Sequence, residues 1–361
     1  MTEHRHFLQG AMVALALTAA CVAGGRALGQ DWITPQTCQI DAAHGGTGLV
    51  PQSDRDAVAR RAAGIPNGTG RLWKITAPPR AGGGGEVSYL WGSFHSSDRL
   101  ILDLPAEVRT LVPKLAVLVL ESDPRPRSRA ALEERALQAG MWRAPADGDD
   151  PKRWLSGPLR DWILARMRGV TFQDSLLGRV TDAGLAALLM QDPCEDFSAG
   201  VWPVQDISLA LAAHQAGVPL TGLEPWGAFL EEMSQPERQD TARAIAQIYG
   251  AYLDPQGFGA ARVAAVALYR QGRVGEMIAW NQLFLEQVFG KAEAARLGGL
   301  ADGYLIDERN QTFLRQMGRH LAHGRALFVV GAFHLPGQAG LLAGLRVQGY
   351  QIERIRTAGE G

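Results

Sequence analysis

The chain has 361 residues, of which 46% are hydrophobic and 20% are charged. This composition supports a sizeable folded core and excludes a wholly disordered chain, a collagen-like chain and a small disulfide-stapled protein. Lys and Arg together number 36 and Asp and Glu 37, for a formal net charge of -1, so nucleic acid is not expected as a partner.

The first 29 residues have the three parts of a secretory signal peptide. A basic residue precedes an apolar block at 11–23, and Ala27 and Gly29 supply small residues at a cleavage site. The block is too short for a membrane-spanning helix, which needs roughly 20 residues. Cleavage predicts a secreted or periplasmic protein with no membrane span in the mature chain. An uncleaved anchor is the alternative, and lipoprotein anchoring through Cys21 is disfavoured because Thr18 stands where an aliphatic residue is usual.

Cleavage would leave two of the three cysteines, Cys38 and Cys194. In an oxidising compartment two cysteines favour one disulfide, which would tie the N-terminal segment to the middle of the chain. Two free buried thiols are the alternative. Residues 30–70 are rich in Gly, Pro, Asp and Gln without a clear period, which predicts a loose segment held down by such a bridge.

The folded domain is predicted over 71–356. Residues 71–76 and 86–92 are predicted as the two strands of a hairpin, joined by a glycine-rich turn. A helix at 104–115 follows. The continuous apolar run at 116–120 then indicates a strand that is covered on both faces.

Helical patterns dominate the middle of the chain. A strand is predicted at 218–224, between a helix at 203–217 and further helical segments. These further segments span 226–233, 237–253, 260–269, 274–289 and 307–323. A second continuous apolar strand follows at 326–331, and 350–356 alternates like an exposed edge strand. The order predicts an α/β fold with a mixed central sheet, flanking helices and a large helical insertion at about 125–320.

Two strand ends carry the same short motif. The pattern strand-Gly-x-x-His occurs at 89–95 (YLWGSFH) and at 328–334 (FVVGAFH). Glycine permits a sharp turn, which would present His95 and His334 at the carboxyl edge of the sheet, where open α/β folds bind ligands. A third strand end supplies Glu121. Two imidazoles and a carboxylate at neighbouring strand ends predict a metal site or an acid–base pair.

The motifs resemble those of the TraB/GumN family. The resemblance also rests on the apolar strand ending in Glu121, on Gly222-Leu-Glu224 and on Arg309-Asn310, and it runs from about residue 70 to the C-terminus. It implies an α/β fold of the erythromycin esterase/ChaN-like type, related to the Tiki metalloproteases. Among such relatives, the Tiki-like proteases use Mn or Co, and the esterases activate water with His and Glu without a tightly held metal. Another relative is a haem-binding iron-uptake lipoprotein.

Carried over by position, the resemblance implies roles for five residues. His95 and His334 would hold a divalent ion (Mn, Co or Zn) or a water, together with Glu121 as a third ligand or as the general base. Arg309 and Asn310 would stabilise an oxyanion or orient a carboxylate. The alternative for this last pair is a salt bridge and a cap on a surface helix.

Two further carboxylates are candidates for the same site. Asp206 occupies the family's Asp position at the start of a helix, and Glu224 follows the strand at 218–224. Glu224 also has a purely structural explanation, because Pro225 follows it and a carboxylate is favoured where a helix begins.

The sequence leaves different classes of function open. The first is a secreted or periplasmic, metallopeptidase-like hydrolase that acts on a peptide or small molecule in a cleft at the strand ends. The second is a non-catalytic module that binds haem or a peptide with the same histidines, and a degenerate regulator that sequesters a signal peptide is a third. Glu121 and Arg309 beside both histidines favour catalysis. The hydrolase hypothesis fails if Glu121 lies more than about 10 Å from both imidazoles.

Overall fold

The structure, a computed structural model, describes most of the predicted domain. The described residues are 52–79, 86–123, 140–143, 152–170, 178–194 and 204–360. The predicted leader, Cys21, Cys38 and the glycine-rich turn at 81–85 lie outside these ranges. None of the described helices combines the length and the hydrophobicity needed to cross a bilayer.

In the described part of the chain, six strands form one mixed sheet in the order β4-β3-β5-β2-β1-β6. The strands are β1 (Leu72–Thr76), β2 (Val87–Ser93), β3 (Val117–Ser122), β4 (Leu220–Glu224), β5 (Ala326–Gly331) and β6 (Gln351–Ile355). Strands β2, β3, β4 and β5 run parallel, whereas β1 pairs antiparallel with both β2 and β6. The predicted α/β class with a mixed central sheet is confirmed.

The carboxyl ends of the four parallel strands lie at one edge of the sheet. Ser93 of β2 pairs with Gly331 of β5, and Ser122 of β3 pairs with Glu224 of β4. Strand β3 extends two residues beyond the predicted apolar run, so Glu121 lies inside the strand. The residues that follow β2 and β5 therefore emerge beside the side chains that end β3 and β4.

Helices cover both faces of the sheet and build a further helical layer. In chain order they are α1 (Gln52–Ala63), α2 (Arg99–Leu102), α3 (Ala106–Leu111), α4 (Gly157–Val170), α5 (Asp182–Leu189), α6 (Gln205–Gln215), α7 (Ala228–Met233), α8 (Gln239–Ala251), α9 (Phe258–Arg270), α10 (Val274–Phe289), α11 (Lys291–Asp302), α12 (Arg309–Leu321) and α13 (Leu341–Val347). A π-helical turn, Gly303–Glu308, joins α11 to α12, and a 3-10 turn, Ala332–His334, follows β5.

The sheet is buried on both faces. One face packs against α6, α9 and α10, with Leu118 and Val329 in that core. The other face packs against α12 and α13, with Phe328, Phe313 and Leu341 in that core. Every residue of β5 is buried. Burial on both faces explains why β3 and β5 are continuous apolar runs rather than alternating ones.

The helical layer has a core of its own. Helices α4, α5, α8 and α11 share a cluster of buried side chains that is separate from the two sheet cores. Representative members are Ile163, Leu185, Ile245 and Leu297. These helices lie within the predicted helical insertion between β3 and β5.

Two helices differ from the sequence predictions. Helix α1 lies in the segment predicted to be loose, where Val58 is 1% exposed and Arg61 makes two hydrogen bonds to Glu286 on α10. Helix α11 was not predicted, since it contains the helix-weakening pair Gly298 and Gly299, yet its neighbour Leu297 is fully buried. Tertiary packing compensates for the two glycines in α11, whereas α1 also has seven Ala and Arg residues that favour a helix.

Candidate active site at the strand ends

The two Gly-x-x-His motifs pack against each other where β2 and β5 end. A Cβ at Gly92 would lie 2.9 Å from Leu335 Cδ2 and 3.1 Å from Ala332 Cα. Any larger residue at this position would therefore force Leu335 and the turn after β5 to shift. The Tyr269 hydroxyl of α9 donates to the Gly92 carbonyl oxygen over 2.8 Å, which holds the end of β2 in place.

Gly331, the glycine of the second motif, lies next to both histidines and Glu121. Its amide donates a 2.6 Å hydrogen bond to Glu121 Oε1. A Cβ at this position would lie 3.3 Å from both Glu121 Oε1 and His95 Nε2, and 3.6 Å from His334 Cδ2. The missing side chain leaves room among the three functional groups.

Three of the predicted site residues converge at this point. His95 Nε2 lies 3.7 Å from Glu121 Oε1, and His334 Nε2 lies 3.6 Å from the same oxygen. Both distances are well inside the limit of about 10 Å that the hydrolase hypothesis requires. The convergence follows from strand order, because β3 neighbours β5 and β5 neighbours β2.

Arg309 joins the centre from the first residue of α12. Its Nη2 donates to Glu121 Oε2 over 2.8 Å, and its Nε and Nη2 donate to Glu224 Oε2 over 3.1 and 2.9 Å. The side chains of Arg309 and Glu224 are only 14% and 10% exposed. The pair is therefore part of a buried network and not a surface salt bridge. Glu224 orients the guanidinium, and α7 begins only at Ala228.

The orientation of the His95 ring is fixed by Asp206 of α6, which contacts the ring nitrogen that points away from Glu121. His95 Nδ1 lies 2.9 Å from Asp206 Oδ2. Asp206 in turn accepts a 2.6 Å hydrogen bond from the Ser93 hydroxyl at the end of β2. The contact with a carboxylate keeps a hydrogen on Nδ1, so Nε2 is the nitrogen that faces Glu121.

His334 is held by a neutral partner. His334 Nδ1 lies 2.7 Å from Asn310 Oδ1, and Asn310 is 1% exposed. The Asn310 amide nitrogen donates to the carbonyl oxygens of His334 and Ala339, so its own oxygen must face the imidazole. Nδ1 of His334 therefore carries the hydrogen, and the Nε2 lone pair faces Glu121.

The two histidines have opposite protonation preferences. The charge of Asp206 raises the pKa of His95 well above its ordinary value, against the lowering effect of burial. Burial lowers the pKa of His334 to about 4, although the charge of Glu121 opposes this. The side chains are 51% and 6% exposed, respectively. At neutral pH the centre thus combines an accessible imidazolium with a buried neutral imidazole.

Glu121 carries the negative charge of the centre. Burial alone would raise the pKa of Glu121, but the charge of Arg309, assisted by the neighbouring imidazoles, holds that pKa well below its usual range. Within the described ranges, no group of three or more His, Cys, Asp or Glu side chains has the arrangement of a metal site. The predicted ligand set of His95, His334 and Glu121 stays a prediction.

Gln205, which the sequence analysis missed, supports the loop that carries His95. Its buried side-chain oxygen accepts hydrogen bonds from Trp91 Nε1 over 3.0 Å and from the Phe94 amide over 3.2 Å. The bonds bracket the turn between β2 and His95. The only signal in the sequence is a polar residue directly before Asp206, in the first turn of a helix.

A buried ion pair, also missed, supports the same loop from the helical layer. Arg262 Nη1 lies 2.8 Å from Asp192 Oδ1, and Asp192 Oδ2 accepts a 3.2 Å hydrogen bond from the Ser97 amide. The Cys194 amide donates to Asp192 Oδ1 over 3.0 Å, and Cys194 is disulfide-bonded. Because Cys38 lies outside the described residues, the pairing of these two cysteines stays a prediction.

Comparison with known proteins identifies the family. A sequence model of the TraB/PrgY/gumN family matches residues 72–354, which is well over half of the chain. The match spans the six strands, apart from the last residue of β6, and every residue of the strand-end centre. No curated protein and no solved structure matches the chain.

Proposed function

The chain belongs to the TraB/PrgY/gumN family, and from this premise we propose that it is a hydrolase that activates water with its paired histidines. The observation that carries the proposal is the convergence of two imidazole nitrogens on one carboxylate oxygen. His95 Nε2 and His334 Nε2 lie 3.7 and 3.6 Å from Glu121 Oε1. Each ring is also oriented by a second partner, as acid–base catalysis requires.

His334 is suited to hold the attacking water. Its pKa of about 4 keeps the imidazole neutral at physiological pH, and the hydrogen on Nδ1 is committed to Asn310. The Nε2 lone pair can therefore accept a hydrogen bond from a water, but the ring is too weakly basic to keep that water's proton. Because the His334 ring is buried and bonded to Asn310, a water bound to its Nε2 would have a defined position at the edge of the sheet.

His95 is suited to move the proton. It is the most accessible group of the centre, and Asp206 raises its pKa and thus its basicity. In its deprotonated form, His95 Nε2 would take a proton from the water and then pass it to the leaving group. The sequence analysis assigned the base to Glu121, but the low pKa of Glu121 makes it a weak proton acceptor. Glu121 instead stabilises the imidazolium that forms.

Arg309 is suited to stabilise the charge that develops on the substrate. Nε and Nη2 are committed to Glu121 and Glu224, whereas Nη1 makes no hydrogen bond within the described part of the chain. A guanidinium fixed on two sides is a preorganised donor for a carbonyl oxygen that becomes negative during attack.

The donor set fits a resident divalent cation poorly. Glu121 Oε1 already accepts the Gly331 amide at 2.6 Å, and Glu121 Oε2 already pairs with Arg309 at 2.8 Å. A permanent positive charge against the same carboxylate opposes a second cation there. The proposed mechanism therefore uses no metal. In this respect it is like that of the esterases named above and unlike that of the Tiki-like metalloproteases.

Nothing in the described part of the chain favours the haem-binding alternative. The accessible imidazole, His95, faces two carboxylates, Glu121 and Asp206, whereas a haem ligand requires an apolar surrounding for the macrocycle. The proposal includes secretion of the chain through its leader. It also includes a peptide or a small molecule as the substrate.

The proposal is tested on the purified chain with a panel of chromogenic esters and internally quenched peptides. We expect turnover by the wild type and a loss of about 100-fold or more in kcat/KM for Glu121→Gln, because the charge that stabilises the His95 imidazolium is removed. The matched control is Glu353→Gln, an exposed glutamate of β6, which should keep full activity. Equal rates for the wild type and Glu121→Gln would refute the assigned site.

The same preparation decides whether a metal takes part. Dialysis against EDTA should leave the activity unchanged, and elemental analysis should find less than stoichiometric metal. Loss of activity on dialysis, with recovery on adding Mn²⁺, Co²⁺ or Zn²⁺, would contradict the metal-free mechanism and restore the ligand set predicted from the sequence.

A further inference from the structure

A buried ion pair lies behind the strand end that carries the first motif. Arg71 Nε donates to Glu360 Oε1 over 3.1 Å, and the two side chains are 4% and 0% exposed. Arg354 of β6 donates to Glu360 Oε2 over 2.8 Å, and the Thr357 hydroxyl accepts from Arg71 and donates to Glu360. The proposed mechanism makes no use of this pair. A buried ion pair is also weak evidence for stability, since the cost of desolvating both charges offsets their attraction.

The Arg71 guanidinium rests on two aromatic rings. Its Cζ lies 5.0 Å from the ring centroid of Tyr269 on α9 and 5.3 Å from that of Trp91 on β2. Both residues are fully buried, and their rings meet edge to face with centroids 6.5 Å apart. A guanidinium is attracted to aromatic faces, and more strongly where water is excluded. The Glu360 carboxylate thus fixes a guanidinium, and the guanidinium fixes two rings.

The Tyr269 ring holds the turn that leads to His95. Its hydroxyl donates to the Gly92 carbonyl oxygen over 2.8 Å, and the ring stacks on Phe94 with centroids 5.3 Å apart. Phe94 directly precedes His95 in the chain. The Gly92 amide donates over 2.8 Å to the carbonyl oxygen of Arg71 itself. Arg71 therefore contacts this turn through its own backbone and through the ring that its side chain supports.

The partner of His95 rests on the same two rings. Trp91 Nε1 donates to the side-chain oxygen of Gln205 over 3.0 Å, and the Tyr269 hydroxyl lies 2.8 Å from the same oxygen. Gln205 directly precedes Asp206, whose Oδ2 lies 2.9 Å from His95 Nδ1. Both members of the His95–Asp206 pair are thus attached to backbone that the two rings hold.

We propose that Arg71 is a positioning residue for His95. Held by Glu360, its guanidinium fixes the two rings, and the rings set the position of His95 relative to Asp206. Apolar side chains would fill this volume without burying charge, so the role of the ion pair is to give the rings one defined position. The inference rests on the proposed function, since it concerns the histidine that moves the proton there.

The test measures kcat and KM separately for Arg71→Met on the best substrate of the ester and peptide panel. Methionine retains an apolar side chain against the rings and lacks the guanidinium. We expect kcat to fall about tenfold with KM nearly unchanged, because His95 leaves its productive position while the substrate still binds. The matched control is Arg61→Met, which removes the ion pair to Glu286 on α10 and should keep the wild-type kcat. A wild-type kcat in Arg71→Met would overturn the proposal, even if urea denaturation showed a loss of stability.

A double-mutant cycle tests whether Arg71 acts through the ring of Tyr269. Tyr269→Phe keeps the ring and loses the hydrogen bond to Gly92, so it should lower kcat by itself. In the Tyr269→Phe background, Arg71→Met should lower kcat by less than it does in the wild type, since the path between them is already broken. Losses that multiply independently would contradict this path.

Glu360→Gln takes the place of Arg71→Met in every measurement if that variant does not fold. Glutamine keeps the shape of the glutamate side chain and removes only its charge, so the Arg71 guanidinium loses its fixed partner. We expect kcat to fall in the same way, with KM nearly unchanged. A wild-type kcat in Glu360→Gln would then overturn the proposal.

Failure of the proposed function is distinguished by an NMR titration that needs no substrate. In Arg71→Met the C–H signals of the His95 ring should titrate at lower pH than in the wild type, because the ring is held less closely against the Asp206 carboxylate that raises its pKa. Loss of the Arg71 charge by itself would act in the opposite direction. The His334 signals are an internal control and should not change.

The titration has two decisive outcomes. A lowered His95 pKa in a chain that hydrolyses no substrate would support the positioning role although the hydrolase proposal had failed. An unchanged or raised His95 pKa would refute the positioning role itself, whether or not the chain is a hydrolase.

Discussion

The two Gly-x-x-His motifs have the same sequence pattern, follow neighbouring parallel strands and face the same oxygen of Glu121. Their environments nevertheless differ. His95 is 51% exposed, pairs with a carboxylate and has a raised pKa. His334 is 6% exposed, pairs with an amide and has a pKa of about 4.

The difference shows that the motif determines where an imidazole lies, and that its outer partner determines what the imidazole does. Asp206 comes from α6 and Asn310 from α12, on opposite faces of the sheet. A charged partner and an open side make His95 a proton carrier. A neutral partner and full burial make His334 a fixed acceptor. Two copies of one motif thus supply two complementary functions.

The largest expected effect separates the two histidines. His95→Asn should lower kcat/KM by about 10³-fold, because it removes the group that moves the proton. His334→Gln retains an acceptor for water and should lose only about 10-fold to 100-fold. Steady-state kinetics on the best substrate of the ester and peptide panel measure both losses. Equal losses in the two variants would mean that the histidines share one role. His320→Asn, on the far part of α12, is the control and should leave the rate unchanged.

The second prediction removes the charge that distinguishes His95. The wild-type rate should rise with pH through a midpoint above 6.5, since His95 must be deprotonated to accept a proton and Asp206 raises its pKa. Asp206→Asn should move this midpoint to lower pH and lower the maximum rate by about 100-fold, as the ring loses its orienting carboxylate. The pH profile of kcat/KM measures the midpoint. An unchanged midpoint would show that another group controls the profile.

The third prediction makes the second motif resemble the first. Asn310→Asp places a carboxylate against His334 Nδ1 and should raise the pKa of His334 from about 4 toward that of an ordinary histidine. The neutral water-holding imidazole would then be partly protonated, and kcat/KM at pH 6 should fall about tenfold. NMR titration of the imidazole C–H signals reports the pKa directly. Conservation of the low pKa in this variant would show that burial alone sets it.

The smallest expected effect on activity comes from the first of the two motif glycines. Gly92→Ala places its Cβ 2.9 Å from Leu335 and should cost about 1–3 kcal/mol in the free energy of unfolding, with an almost unchanged rate in the folded fraction. Gly331→Ala places its Cβ 3.3 Å from Glu121 and His95 and should lower the rate several-fold, with a smaller loss of stability. Urea denaturation and kinetics on both variants separate the two effects. The reverse pattern would contradict the positions assigned to the two glycines.

Much of the fold and of the site could be predicted from local patterns. Continuous apolar runs identified β3 and β5, and the repeated motif identified His95 and His334. Glu121 was found because it ends one of these runs. Helix α1 was missed because the segment around it is rich in Gly and Pro, although Ala and Arg make up seven of its own twelve residues. Helix α11 was missed because the pair Gly298 and Gly299 weakens its pattern, and packing stabilises it.

The remaining part of the site depends on contacts between distant segments. Gln205 and Asp192 are ordinary polar residues in the sequence, and they are important only because folding buries them beside the loop of the first motif.

The sequence by itself determined the order of the six strands, the repeated motif and the identity of the reactive side chains, because these depend on short-range patterns of hydrophobicity and turn formation. The tertiary structure alone decided the protonation of the two histidines and the commitment of Glu121 to Arg309. Those properties depend on burial and on charged and hydrogen-bonding groups 2.7 to 3.7 Å away, contributed by residues far apart in the chain. One motif can therefore supply a proton carrier at His95 and a fixed acceptor at His334.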